Sequence, residues 1–267
     1  MKLAGAWRIP LLAALVVAAG YVAYKVAEDP GSQLWGATVV AGPADEREVA
    51  LTFDDGPNPP YTDRILDVLK DEGVRATFFV VGRAVAANPA TVRRIAREGH
   101  ALGNHTWDHP HMLMLSRAAM RAQLKRTDDA IFAAAGVRTR LMRPPFGARD
   151  FAVIDEAKAE GYRVVMWSVP LPKDWEMPGD ATIASRVVDH VGDGSIIVLH
   201  DGNRGLRCGP KPPAAPLETC DRAQDVAATR RIIDTLRARG YRFVTIPQLL
   251  ADTARDAAKH TVARSTR

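Results

Sequence analysis

Short apolar runs alternate along this chain with longer stretches in which apolar residues recur every three or four positions, the signature of strands followed by amphipathic helices. Glu48 to Phe53 predicts a first strand, and Tyr61 to Glu72 a helix with Ile65, Leu66, Val68 and Leu69 inward, stopped by Gly73. Ala76 to Gly82 is apolar without interruption, as in strands buried on both faces of a parallel sheet. The pattern then predicts a helix over Pro89 to Glu98, a short strand over Ala101 to Gly103, a helix over Arg117 to Ala135 and a strand over Arg140 to Arg143. It continues with helix 149–160, strand 163–167, helix 181–191, strand 195–199, helix 223–239 and strand 242–246, before a last helix from Pro247. Seven strand–helix units of this size make an α/β parallel barrel the expected fold, with chemistry at the C-terminal ends of the strands.

The N-terminus departs from this rhythm. Met1, Lys2 and Arg8 precede an apolar run from Ile9 to Tyr24, then Lys25 and polar residues, which reads as an export signal. Sixteen helical residues reach about 24 Å, short of a hydrocarbon core of about 30 Å unless Leu3 to Trp7 joins. The expectation is a signal-anchor or signal peptide over 1–26, single-pass with the remainder extracytoplasmic, secretion after cleavage being the alternative. A linker (27–47), a catalytic domain (48–250) and a basic tail (251–267) would follow. With 47% apolar and 25% charged residues, the 267-residue chain has the balance of a globular protein. Its net charge of +5 is dispersed, with no dense basic block, so no nucleic-acid role is expected. Cys208 and Cys220 bracket a Pro-rich segment and should pair as a disulfide in an oxidising compartment. The bracketed segment, with Arg204, Arg207 and Lys211, is a candidate substrate lid.

Reactive residue types fall where strands are predicted to end: Asp54 and Asp55, His105, Arg143, Asp174 beyond the fifth strand, and His200. Adjacent carboxylates after an apolar strand suit a hydrolytic metal site, one ligating a cation and the other accepting a proton from water. His105 and His109 lie four residues apart, so both would face one cation if the segment opens a helical turn, with Asp55 as third ligand. Two imidazoles and a carboxylate suit Zn2+, with Co2+, Mn2+ and Fe2+ left open by ligand type. His111 reads as a surface residue, and His100, His190 and His260 have no evident partners.

Thr52-Phe-Asp-Asp-Gly56, His105-Thr-Trp-Asp-His109, Arg143-Pro-Pro-Phe-Gly147, Asp174-Trp175 and Val198-Leu-His200, in this order, resemble the polysaccharide deacetylase domain of carbohydrate esterase family four, over roughly Glu48 to Leu250. The resemblance implies a distorted (β/α)7 barrel and metal-dependent removal of acetyl groups from N-acetylated sugars, or of O-acetyl groups from xylan. Carried over residue by residue, it makes Asp54 the general base and Asp55, His105 and His109 the metal ligands. It also makes the backbone N–H of Phe146 an oxyanion donor, Arg143 the partner of Asp54, and His200, steered by Asp174, the acid for the leaving amine. Trp175 and Val198 would wall a pocket for the acetyl methyl.

Three positions depart from the family pattern: Phe146 stands where Tyr is usual, Val198 where Leu is usual, and prolines occupy the place of an acid before Asp174. The expected function is hydrolysis of N-acetyl groups on an N-acetylglucosamine-containing envelope polysaccharide, peptidoglycan or chitin-like, by a monomer tethered to the membrane through its N-terminal helix. An O-acetyl esterase and a non-catalytic glycan-binding protein are the alternatives.

Overall fold

A computed structural model describes residues 8–202 and 221–253. After helix α1 (Arg8–Glu28), strands and helices alternate: β1 (Glu48–Asp54), α2 (Tyr61–Asp71), β2 (Thr77–Val80), α3 (Gly82–Ala87), α4 (Pro89–Arg97), β3 (Ala101–Asn104), α5 (Arg117–Ala135), β4 (Leu141–Met142), α6 (Phe151–Ala159), β5 (Arg163–Val164), α7 (Asp180–Val188), β6 (Ser195–His200), α8 (Ala223–Ala238) and β7 (Arg242–Phe243). Local chemistry sets several boundaries. Ser116 caps α5 by accepting from Ala119 N–H, and Gly136 ends it in the left-handed region. Asp150 caps α6 through Val153 N–H.

All named strands are parallel, in the order β5-β4-β3-β2-β1-β6. β7 takes the beginning of the β1 edge that β2 occupies further along. The sheet curls into a half-barrel whose end strands β5 and β6 do not pair directly. Residues expected to be linker span the gap: Val39 bridges Val165, and Ala41 bridges Ser195. The closure is irregular, with Ser168 and Val169 N–H both directed at Ile196 O. β5 and β7 are two residues long each, shorter than the runs expected from the sequence.

Alternation along β1 divides the core. Val49, Leu51 and Phe53 pack with the helices, whereas Ala50 joins Phe79, Met142, Val165, Ile196 and Val198 on the opposite face. Thr52 and Asp54 share that second face, so the strand delivers Asp54 to the mouth of the curled sheet. Arg149, fully buried, donates to the carbonyls of Gly147, Asp29, Pro30 and Ser32 and ties the segment after α1 to the domain.

No helix among the described residues is long and apolar enough to cross a membrane, and residues 1–7 of the expected anchor lie outside the described residues. The expected Cys208–Cys220 disulfide and lid, with Arg204, Arg207 and Lys211, lie outside the described residues, as do His260 and the tail beyond 253.

Candidate active site

Strict alternation would turn Asp55 away from Asp54, toward the helix layer. Asp55 instead has φ +77°, a left-handed backbone costing on the order of 1–2 kcal/mol for a residue with a Cβ. That turn brings its carboxylate back into the cavity Asp54 faces. The β6 end braces the turn, with Asp201 and Gly202 N–H both donating to Asp54 O. Approach is so close that a Cβ on Gly56 would lie 2.0 Å from Asp201 Oδ2, so only glycine fits there.

The His105–His109 segment forms no helical turn, contrary to expectation. It is an irregular loop with Thr106 and His109 at φ +67° and +58°. Gln123, reaching across from α5, sets its shape: Oε1 accepts from Trp107 and Asp108 N–H at 2.7 and 3.2 Å, and Nε2 donates to Asp108 Oδ1. The two imidazoles converge nonetheless. Asp55 Oδ1 lies 3.4 Å from His105 Nε2 and 3.2 Å from His109 Nε2, all three side chains being buried.

These residues fit a cation. His105 Nδ1 lies 2.8 Å from the Arg143 carbonyl, which only accepts, so Nδ1 donates and Nε2 presents a lone pair to Asp55. Acceptor-bearing atoms thus face one another in a buried place. Ligand atoms held at about 2.0–2.1 Å around a tetrahedral ion stand about 3.3 Å apart, close to the two separations observed. Among the described residues this is the cluster of three that could hold a metal.

Two charge pairs flank the cluster. Fully buried Arg143 places Nη1 2.7 Å from Asp54 Oδ1 and 2.8 Å from Thr52 Oγ1, and donates through Nε and Nη2 to the Val165 and Met166 carbonyls. Its guanidinium also lies over the Phe79 ring. With all three guanidinium nitrogens engaged, the side chain fixes Asp54, while its carbonyl fixes His105. Across the cavity, His200 Nδ1 is 2.8 Å from Asp174 Oδ1, and its backbone N–H donates to Oδ2 at 2.7 Å. Burial works against an imidazolium here, but the Asp174 carboxylate outweighs it and pushes His200 up to about 9. Burial likewise opposes ionisation of Asp174, yet His200 holds it below the usual carboxylate range.

Phe146, in the left-handed region at φ +61°, lies edge-on to His109, and Trp175 lies edge-on to His200. Together with Val198 they border a cavity of about 220 Å3 that also contains Asp54, Asp55, His105, His109 and His200. The residues expected to form the metal site, base, acid and acetyl pocket therefore border this cavity or touch one that does. His111, expected at the surface, is half-buried and stacks on Phe146. His100 is a core residue whose Nδ1 accepts from Ala76 N–H, and burial pushes it down to about 4. Trp167 and Leu171 in the wall, and Gln123 behind the histidine loop, carried no sequence signal beyond ordinary core or helix positions.

A family model described as polysaccharide deacetylase matches residues 41–165. The chain is similar to a peptidoglycan-N-acetylglucosamine deacetylase of Bacillus cereus, 38% identical over 78% of this chain and 90% of that protein. It is also similar to a chitooligosaccharide deacetylase of Rhizobium leguminosarum bv. trifolii, 39% identical over 77% of this chain and 93% of that protein. Among solved structures, a peptidoglycan N-acetylglucosamine deacetylase bound to a naphthalenyl N-oxidanyl-benzamide superposes with a TM-score of 0.70 at 35% identity, over 80% of this chain and 92% of that one.

Proposed function

The chain belongs to the polysaccharide deacetylase family, and from that premise we propose that it hydrolyses N-acetyl groups on N-acetylglucosamine-containing glycan, with peptidoglycan and chitin-like chains as the candidate substrates. The observation that carries the reading is the pairing of a rigidly held Asp54 and a carboxylate-backed His200 on one cavity with the Asp55, His105 and His109 cluster. The names of both relatives support amide rather than ester hydrolysis. The family is metal-dependent, and the tetrahedral spacing of the ligand atoms favours Zn2+ over ions that demand six oxygens.

A cation held by Asp55, His105 and His109 supplies Lewis acidity and lowers the pKa of water. Asp54 takes the proton of the attacking water, and Arg143, bound to Oδ1, holds the carboxylate with Oδ2 toward the cluster. The backbone N–H of Phe146 donates to the oxygen on which charge develops. An amine leaves poorly as an anion, so His200 gives it a proton, while Asp174 holds Nδ1–H and leaves Nε2–H directed at the cavity. Trp175 and Val198 receive the acetyl methyl, and Val198, shorter than the usual Leu, leaves it extra room.

The catalytic domain spans 48–250 in this reading, closed by the pairing at Val39 and Ala41. It acts outside the cytoplasm as a monomer, where a wall glycan is accessible. Attachment through residues 1–26 rests on the basic flank and apolar run alone, and alkaline extraction of membranes separates an anchored protein from a released one. Acetate release from chitooligosaccharides, peptidoglycan and acetylxylan, before and after chelation and Zn2+ addition, tests the function. Activity on acetylxylan alone would favour the esterase.

A further inference from the structure

Behind Asp174 lies a buried acid that the reaction above does not use. Asp225, in the first turn of α8, is fully buried, and neither of its carboxyl oxygens meets a hydrogen-bond donor among the described residues. A first-turn carboxylate ordinarily takes backbone N–H groups, and Asp225 takes none. Its cationic neighbour does not supply the want. Arg222 Nη1 stays 3.7 Å from Asp225 Oδ2, while Nε and Nη2 of Arg222 both donate to Gly202 O at 3.0 and 2.6 Å. The group within hydrogen-bonding contact of Asp225 is the Asp174 carboxyl. Gln224, next to Asp225 on α8, ties that helix to the Asp174 segment: its Nε2 donates to Asp174 O at 2.7 Å, and its Oε1 accepts from Gly179 N–H at 2.9 Å.

Two carboxylates in contact with no donor between them repel, and the pair is stable only when one carries a proton. We propose that Asp225 is a positioning residue that keeps its proton and donates it to Asp174, so that a carboxyl–carboxylate pair, not a lone carboxylate, stands behind His200. Burial, with the neighbouring Asp174 charge, pushes Asp225 well above the usual carboxylate range, in keeping with this assignment. The titratable and charged groups facing the pair are His200 from β6 and Arg222 ahead of α8, and Asp54 and Asp55 face His200 from the β1 end. The donated bond spreads the Asp174 charge, which loosens the hold of Asp174 on the imidazolium proton and makes His200 the better acid. It also fixes which way the Asp174 oxygens point.

The inference rests on the deacetylase reading, and its test separates the two. The pH dependence of acetate release is measured for the wild-type enzyme, Asp225→Asn and Asp225→Ala, with thermal melts of each. The His200 ring nitrogens are titrated by NMR in the same proteins. Asn replaces a neutral O–H donor by a neutral N–H donor, so Asp225→Asn is expected to keep kcat within about twofold and the His200 titration within about 0.3 pH unit. Asp225→Ala removes the donor, so the His200 titration and the basic limb should move up by about half a unit or more and kcat should fall about tenfold. A His200 titration lowered by a unit in Asp225→Asn would show an ionised Asp225 and overturn the proposal. An unchanged profile and titration in a folded Asp225→Ala would overturn it as well. Should the Ala variant not fold, the Asn variant decides alone. A wild-type enzyme that releases no acetate would remove the function reading, while the NMR titrations would still judge the proton.

Discussion

Replacing Asp174 with Asn separates the charge behind His200 from its shape. The carboxylate is the group that outweighs burial and carries His200 from 6.5 to about 9. Without it, burial is opposed only by the smaller pull of Asp55 and Asp54, and the imidazole returns toward its ordinary value. At pH 8 a group titrating at 9 is about 90% protonated, while one at 6.5 is about 3% protonated, so loss of the acid form alone costs about thirtyfold. The sign is fixed: activity that needs imidazolium persists below the His200 pKa and fades as pH rises through it, so the basic limb of kcat/KM should move down by about two and a half units. A bound cation lowers the limb in both proteins and largely cancels from the difference. The assay is acetate release from a chitooligosaccharide between pH 5.5 and 10, with the melting temperature of each variant as control. A folded Asp174→Asn variant whose basic limb stays where the wild type has it would refute the assignment of His200 as the acid.

Asp54→Asn should abolish measurable acetate release while leaving Zn2+ affinity, read by calorimetry, within a few-fold. Arg143→Met leaves the buried Asp54 carboxylate unpaired and should destabilise the fold by about 3–5 kcal/mol in denaturant titration. Gln123→Ala releases the loop carrying both histidines and should weaken Zn2+ binding about 10–100-fold, with little effect on the α5 surface. Gly56→Ala forces a Cβ against Asp201 and should cost activity and melting temperature together.

Much of this was legible because the parallel strands announce themselves as apolar runs and reactive residues stand where those runs stop. β1 is the clearest case, its seven residues all buried and its last one Asp54. What stayed hidden was set by partners distant in sequence. The His105–His109 loop looks like a helical spacing, but its shape comes from Gln123, which in the sequence is one more polar position on α5. Val39 and Ala41 read as linker because a single bridge has no periodicity. Asp225 passes for an ordinary first-turn acid, and only the burial of both its oxygens marks it out. Asp55 reached the cavity through a left-handed turn that strand alternation alone does not foresee.

The central claim is that one cation sits among Asp55, His105 and His109, between the base and the acid. Anomalous diffraction at the zinc edge from crystals of the Zn2+-loaded protein tests it directly. A single peak is expected about 2.0–2.2 Å from Asp55 Oδ1 and both Nε2 atoms, with its remaining positions open to the cavity shared with Asp54 and His200. A peak held by other side chains, or stoichiometric binding that survives replacement of both histidines, would contradict it.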